Sequence, residues 1–203
     1  MTKNALIVFT RNPELGQCKT RLAKTIGNQA ALDIYKYLLA HTANVAEAID
    51  ADRFVFYSEA IANKDLWPNA YFIKKVQIGK DLGERMHNAF ANLFELGYSK
   101  VVIIGSDLLD LTPVIIKKAF QSLDTNNVVL GPAEDGGYYL LGMKELHFNI
   151  FQNKSWGTET VRAETLEDLK NIKVSLLREL NDIDTFDDMK HYEQLKRFYK
   201  THD

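Results

Sequence analysis

The sequence has few of the features that mark disulfide-stabilised, secreted or membrane proteins. Cys18 is the only cysteine, which excludes an intramolecular disulfide and a cysteine-based zinc cluster and favours a reducing compartment. No apolar run approaches the roughly 20 residues that a membrane-spanning helix needs. The first apolar run, residues 5–9, is also too short for the core of a signal peptide. We therefore expect a cytoplasmic protein without a membrane span.

An excess of charge of one sign is also lacking. The chain has 25 Lys and Arg against 27 Asp and Glu, a formal net charge of −2, so nothing draws it as a whole to nucleic acid or to an anionic membrane. Linkers, repeats and low-complexity tracts are absent. The length of 203 residues therefore predicts one domain over residues 1–203, and no pattern specifies an oligomeric state.

Short apolar runs alternate with longer segments of helical period. This alternation predicts an α/β fold with a mostly parallel sheet and helices on both faces. The expected strands are 5–9, 54–57, 71–76, 101–104, 128–130, 138–142 and 174–177. Sheets of this kind bind ligands beyond the carboxyl ends of their strands. The residues that directly follow each apolar run are therefore the ones to examine for function.

Helix start signals lie between these runs. Thr112 followed by Pro113 predicts an N-cap with proline at the first helical position. Thr185 with Asp188 three residues later predicts a capping box that begins the C-terminal helix.

The loop after the first strand carries Arg11, Lys19 and Arg21 as it enters a helix. Backbone amides near a helix N-terminus, combined with cationic side chains, can wrap phosphate groups. A Walker A loop is excluded because it needs glycine where Pro13 and Cys18 stand, and the glycine fingerprint of dinucleotide-binding proteins is absent as well. The loop predicts phosphate binding, with an ordinary solvated basic loop as the alternative.

Gly105, Ser106 and Asp107 directly follow the expected strand at 101–104. A carboxylate at the mouth of the sheet, with a flexible glycine behind it, can bind Mg²⁺ or Mn²⁺ that also ligates phosphate oxygens. The alternative is that Asp107 only caps the turn before Thr112. The position at the strand end favours a metal ligand.

Two further acidic segments flank late elements of the chain. Asp135, Gly136 and Gly137 precede a strand, and glycines there allow the backbone to approach a ligand closely, although a double glycine can equally be a plain turn. Asp182 and Asp184 precede the last helix, and one of them could complete a metal site with the strand-end aspartate. Helix caps also use aspartate, so for this pair alone capping is the stronger interpretation.

Six segments in order along the chain resemble a bacterial family of glycosyltransferase-like proteins, the arsenosugar-biosynthesis or radical-SAM/selenodomain-associated glycosyltransferases. The segments are FTRNPELGQCKTRL (9–22), DLGERM (81–86), GSD with LTP (105–107 and 111–113), GPAEDGGYYLLG (131–142), WGT (156–158) and DIDTFDD (182–188). That family belongs to the nucleotide-diphospho-sugar transferase superfamily with the GT-A fold, which also contains molybdenum-cofactor and phospholactate nucleotidyltransferases. The resemblance spans nearly the whole chain, and six motifs in one order are hard to produce by chance.

The resemblance implies roles for four charged residues. Asp107 stands at the position of the metal-binding aspartate of these folds and Asp184 stands near their second metal ligand, while Lys19 and Arg21 lie on the phosphate-facing loop. Two features depart from the pattern. Leu109 replaces a usual proline, which we expect to change only the turn, and the first loop lacks the glycine-rich, arginine-bearing form of nucleotidyltransferases.

The predicted function is metal-dependent glycosyl transfer from a nucleotide-diphospho-sugar to a small-molecule acceptor, with a nucleoside diphosphate as leaving group and Mg²⁺ or Mn²⁺ as cofactor. Asp135 is the candidate for orienting or deprotonating the acceptor, because it is the acid on the glycine-rich loop. Nucleotide binding is assigned to four further residues, Arg11, Gly105, Gly136 and Gly137. Two alternatives are nucleotidyl transfer from a nucleoside triphosphate to a phosphate or phosphonate, and nucleotide binding without catalysis.

Overall fold

The fold is built on one seven-stranded sheet. A computed structural model describes residues 3–62 and 64–199. Its strands are β1 (Asn4–Thr10), β2 (Asp52–Tyr57), β3 (Ile73–Val76), β4 (Lys100–Ile104), β5 (Val128–Pro132), β6 (Tyr138–Met143) and β7 (Val174–Leu176). They lie in the order β3-β2-β1-β4-β6-β5-β7, and every pairing is parallel except the two made by β6. The predicted strands and the mostly parallel sheet are confirmed.

Helices cover both faces of this sheet. They are α1 (Thr20–Ile26), α2 (Asn28–Glu47), α3 (Leu82–Glu95), α4 (Pro113–Thr125), α5 (Val161–Asp168) and α6 (Phe186–Met189), with 3₁₀ turns at Phe148–Phe151 and Glu193–Phe198. Leu6 and Val8 of β1 pack with α2 and α4, whereas Ala5 and Ile7 pack with α3 on the opposite face. Successive strand residues point to opposite faces, so a strand covered on both sides reads as a continuous apolar run. No helix within residues 3–62 and 64–199 is both long and apolar enough to cross a membrane.

The chain changes direction across the sheet at β1. It adds β2 and β3 on one side of β1 and then returns to pair β4 on the other side. Loops that leave neighbouring strands in opposite directions open a crevice at their carboxyl ends, where α/β sheets bind ligands. The first loop and the turn at Gly105 therefore border the same crevice.

The helix start signals are confirmed in position and differ in detail. Pro113 begins α4 as predicted, but the side chain of Thr112 makes no capping hydrogen bond. Thr185 and Asp188 form the predicted capping box, and the helix that they begin is only four residues long.

Candidate functional site

Charged residues from three distant segments meet in the crevice. Lys19 Nζ lies 2.9 Å from Asp107 Oδ2 and 3.8 Å from Asp184 Oδ1. Arg21 Nη1 donates to Asp184 Oδ2 at 3.0 Å. We call Lys19, Arg21, Asp107, Asp182 and Asp184 the acidic site. Four of the residues predicted to bind metal and phosphate are therefore neighbours, which the folded chain achieves by joining the first loop, the turn after β4 and the segment before α6.

Ile183 fixes the direction of the two late aspartates. Its side chain is fully buried in a cluster with Leu22 and Leu109, and its amide donates to the carbonyl of Asp107 at 3.1 Å. In an extended segment, residues on either side of a buried side chain point the other way. Asp182 and Asp184, on either side of Ile183, therefore point away from this cluster.

Leu109 itself packs in the buried cluster, so its role is larger than the change of turn that the sequence suggested.

The two late aspartates do not cap α6. Asp188 accepts the capping hydrogen bonds instead, from the Thr185 amide at 2.6 Å and from the Asp184 amide at 3.2 Å. The capping interpretation of Asp182 and Asp184 is therefore wrong, and both side chains line the crevice.

Lys19 is the most deeply buried charge of the site. Its side chain is 6% exposed, against 32% for Asp107 and 33% for Asp184. Burial alone would lower the pKa of Lys19, but attraction to Asp107 first, and then to Asp184 and Asp182, raises it above its ordinary value. The ammonium group therefore stays charged and holds two carboxylates that would otherwise repel each other.

The surroundings of Asp182 disfavour its charged form, whereas those of Lys19 favour the charged ammonium form. Burial, followed by the negative charge of Asp107, raises its pKa to about 6, although Lys19 counteracts this and Asp135 adds to it. When Asp182 is ionised, the three aspartates of the acidic site carry one more charge than Lys19 and Arg21 balance. Such an excess suits a site that receives an additional cation.

A cavity of about 690 Å³ lies over the acidic site. Its walls include the first loop with Arg11, the turn with Gly105, the loop with Asp135, and Arg85 of α3. Asp135 is exposed at the cavity edge, and its Oδ1 accepts a hydrogen bond from the Gly137 amide at 2.8 Å. The structure therefore brings Arg11, Gly105 and Asp135 to the same cavity as the acidic site.

The double glycine has a role within the chain itself. Gly136 has a φ of 86°, and a Cβ built there would lie 2.2 Å from the carbonyl oxygen of Glu159. Neither Gly136 nor Gly137 is among the described residues that line the cavity. Glycine is needed here for a tight turn against a neighbouring backbone, which differs from the close approach to a ligand that the sequence suggested.

Tyr35 and Arg85 line the crevice and were not assigned a role from the sequence. The hydroxyl of Tyr35 contacts three partners: it accepts from the Arg11 amide at 3.0 Å and lies 3.3 Å from Thr10 Oγ1 and 3.4 Å from Ser106 Oγ. It thereby ties the first loop to the turn after β4. Arg85 donates to the Gly79 carbonyl at 3.0 Å and lines the cavity, and its only sequence signal was the motif at 81–86.

The donor set fits a divalent cation shared with a ligand. Within the described residues, no group of three or more His, Cys, Asp or Glu is arranged to hold a metal. Asp107 and Asp184 nevertheless converge on one positive charge, that of Lys19. Mg²⁺ typically uses one or two protein carboxylates and completes its shell with phosphate oxygens and water. Asp107 and Asp184 are thus the residues of the crevice that could hold such an ion.

Comparison with solved structures shows that the fold is that of the nucleotide-diphospho-sugar transferases and cytidylyltransferases. A cytidylyltransferase from Leptospira borgpetersenii is 12% identical over 99% of this chain and 89% of its own, with a TM-score of 0.60. The protein Rv0371c from Mycobacterium tuberculosis H37Rv, in complex with manganese, is 15% identical over 98% of this chain and 99% of its own, with a TM-score of 0.56. At these identities the likeness shows the fold alone, which confirms the predicted GT-A architecture.

A solved structure from Desulfovibrio desulfuricans G20, provisionally described as a nucleotide-diphospho-sugar transferase, is more similar. It is 30% identical to this chain, covers 98% of it and 93% of its own length, and superposes with a TM-score of 0.86. Residues 41–158 match the family described as "Uncharacterized protein conserved in bacteria (DUF2064)", and the chain belongs to that family. No curated protein sequence matches it. These findings support the predicted superfamily, and the narrower arsenosugar-biosynthesis assignment stays a prediction.

Proposed function

We propose that the protein transfers a glycosyl group from a nucleotide-diphospho-sugar to a small-molecule acceptor with the help of a divalent cation. The observation that carries the proposal is the convergence of Asp107 and Asp184 on Lys19 at the carboxyl ends of β1 and β4. The relative from Desulfovibrio desulfuricans, described provisionally as a nucleotide-diphospho-sugar transferase, supports the same class of donor.

The basic residues of the acidic site would bind the diphosphate. Lys19 and Arg21 are engaged with Asp107 and Asp184. Mg²⁺ or Mn²⁺ held by these two aspartates would neutralise the negative charge that develops on the leaving diphosphate. Lys19 and Arg21 could then turn their N–H groups to phosphate oxygens, and Arg11 lies on the same wall to contribute a further charge. Asp135, at the edge of the cavity, is our candidate for orienting or deprotonating the acceptor.

The first loop favours a diphosphate over a triphosphate. Four of its amides are engaged within the protein: Arg11 N donates to Tyr35, Asn12 N to Ser58, Glu14 N to Asn12 and Gln17 N to Glu14, at 3.0 to 3.2 Å. The segment with Pro13 also has less backbone freedom than the glycine-rich loops with which nucleotidyltransferases enclose a triphosphate. Nucleotidyl transfer is the second candidate, because a cytidylyltransferase shares the fold.

Calorimetric titration of a nucleoside diphosphate with Mn²⁺ tests the site. Asp107→Asn keeps the size of the side chain and removes its charge, and we expect it to weaken binding by about tenfold or more. Asp50→Asn is the matched control, because Asp50 is exposed and precedes β2 at the amino ends of the parallel strands. Equal affinity of Asp107→Asn and the parent protein would refute the site assignment.

The leaving group distinguishes the candidate reactions even though the acceptor is not known. Water can slowly take the place of the acceptor, so that the donor is hydrolysed and its leaving group is released. Incubation with nucleotide-sugars and Mn²⁺ should release nucleoside diphosphate, and incubation with triphosphates should release no pyrophosphate above background. Pyrophosphate release that Asp107→Asn abolishes, without hydrolysis of nucleotide-sugars, would establish nucleotidyl transfer instead. Binding of nucleotide-sugars without any release would indicate a non-catalytic binding protein.

A further inference from the structure

A second cavity lies on the other side of the first loop, between α2 and the connection from β2 to β3. Its volume is about 920 Å³, within the range typical of small-molecule sites. Its apolar wall includes Tyr37, Leu39, Tyr57, Trp67, Pro68 and Phe198, and we call this cavity the aromatic pocket. Thr10 and Arg11 line both it and the cavity over the acidic site.

The floor of the aromatic pocket is fixed by internal contacts. Trp67 is 2% exposed and packs edge to face on Phe72, with ring centroids 5.2 Å apart. The Tyr57 hydroxyl donates to Asp65, which also accepts from Lys74 at 2.8 Å and from the Trp67 amide at 3.0 Å. Asp65, the acid of the floor, therefore has a partner for each of its oxygens and repels an anion only weakly. These contacts also hold the floor in place, so the pocket is preformed.

The rim of the pocket is basic. Arg11, Lys36 and Lys64 line it and are exposed, and none of them forms an ion pair with any residue in 3–62 or 64–199. The remaining acid of the lining, Asp33, accepts from Gln29 at 3.0 and 3.1 Å. A rim with three unpaired cations above an aromatic wall is complementary to an anion that carries an apolar body.

We propose that the aromatic pocket is a second small-molecule site, distinct from the acidic site, that binds an amphipathic anion: an aromatic or aliphatic body held against Trp67 and Tyr37, with a carboxylate, sulfonate or phosphate held by Lys36, Lys64 and Arg11. The proposal does not depend on the proposed transferase activity, because Trp67, Lys36 and Lys64 lie outside the cavity over the acidic site and only Arg11 and Thr10 are shared.

Trp67 provides a direct readout of occupancy. The chain has two tryptophans, so Trp156→Phe leaves Trp67 as the only one. The probe is 1-anilinonaphthalene-8-sulfonate, an aromatic anion, and titration into this variant should quench Trp67 fluorescence saturably. A saturating nucleoside diphosphate with Mn²⁺ should leave most of the quenching in place. Absence of saturable quenching, or its complete competitive loss with the nucleotide, would overturn the proposal.

Charge reversal tests the basic rim. In the Trp156→Phe background, Lys36→Glu with Lys64→Glu should weaken binding of the probe by about tenfold, since two attractions become repulsions. The matched control is Lys117→Glu with Lys118→Glu, which alters net charge equally on exposed positions of α4. Neutral N-phenyl-1-naphthylamine should bind all variants within about twofold of one another. Equal weakening by the two double variants would mean that only net charge matters and would refute the site.

Discussion

The acidic site and the aromatic pocket share one loop and are held together in different ways. The hydrogen-bonded pairs of the acidic site join residues 88 and 163 positions apart, Lys19 with Asp107 and Arg21 with Asp184. In the floor of the aromatic pocket, Asp65 is bound by residues 8 and 9 positions away, Tyr57 and Lys74. The first arrangement exists only when the whole chain has folded, whereas the second is largely local and rests on a buried tryptophan. Apolar burial gives the pocket its rigidity, while the acidic site depends on a balance of charges that a ligand can change.

Removal of the buried Trp67 ring should have the largest effect on stability. Trp67→Ala should lower the free energy of unfolding by about 3 to 5 kcal/mol, because a large side chain at 2% exposure would leave a cavity. Urea denaturation measures the change. Leu66→Ala is the control, and its side chain at 43% exposure should make it nearly neutral. A loss below about 1 kcal/mol for Trp67→Ala would mean that the pocket does not owe its shape to burial.

Removal of the central cation should be the next largest effect. Lys19→Met should cost about 2 kcal/mol without divalent cations, because Asp107 and Asp184 lose a charge-assisted contact and face each other. Mn²⁺ should then raise the melting temperature of this variant more than that of the parent protein. Lys24→Met, on an exposed position of α1, the helix that begins directly after Lys19, is the control. An unchanged response to Mn²⁺ in Lys19→Met would contradict a metal at these aspartates.

Acid should weaken the floor of the aromatic pocket. Burial alone would raise the pKa of Asp65, but hydrogen bonds from Lys74, Tyr57 and the Trp67 amide outweigh it and lower the pKa below its ordinary value. The stability contributed by Asp65 is therefore present above its unfolded pKa of about 4 and is lost as pH falls through the lower folded value.

The replacement Asp65→Asn measures this contribution. It should cost about 1.5 kcal/mol at neutral pH, and the difference from the parent protein should shrink in denaturation series taken to lower pH. Asp50→Asn should show no such trend. A difference that is independent of pH would mean that the charge of Asp65 contributes nothing.

The smallest expected effect concerns α3, whose first turn borders the cavity over the acidic site. Asp81 caps this helix, since its Oδ1 accepts from the Glu84 amide at 2.9 Å, and Asp81→Ala should cost about 1 kcal/mol. Thr112 occupies the same position of α4 without a side-chain cap, so Thr112→Ala should cost less than half as much. Equal losses of stability for the two variants in thermal denaturation would show that the capping hydrogen bond of Asp81 does not stabilise α3.

Much of the fold could be predicted because its signals are local. Residues 101–104 form a short run of β-branched side chains, and all of β4 is buried in the structure. Asp107 could be proposed as a site residue because the position after a parallel strand is a general ligand position. Tyr35 could not be, because a tyrosine at helical spacing resembles any other apolar residue until the fold brings its hydroxyl to Ser106. The side chains that contact Trp67 could not be predicted either, because the sequence alone does not show which side chains enclose a cavity.

The sequence by itself determined the α/β class, the order of the strands along the chain and the charged residues that end them, because periodicity and strand-end position act over a few residues. Only the tertiary structure decided that Lys19 lies between Asp107 and Asp184. It also decided that the backbone of Glu159 leaves no room for a side chain at position 136, and that the first loop separates two cavities. Those features depend on contacts between segments as far as 163 positions apart. Packing of the whole sheet and its helices sets such contacts, and no local pattern of residues encodes them.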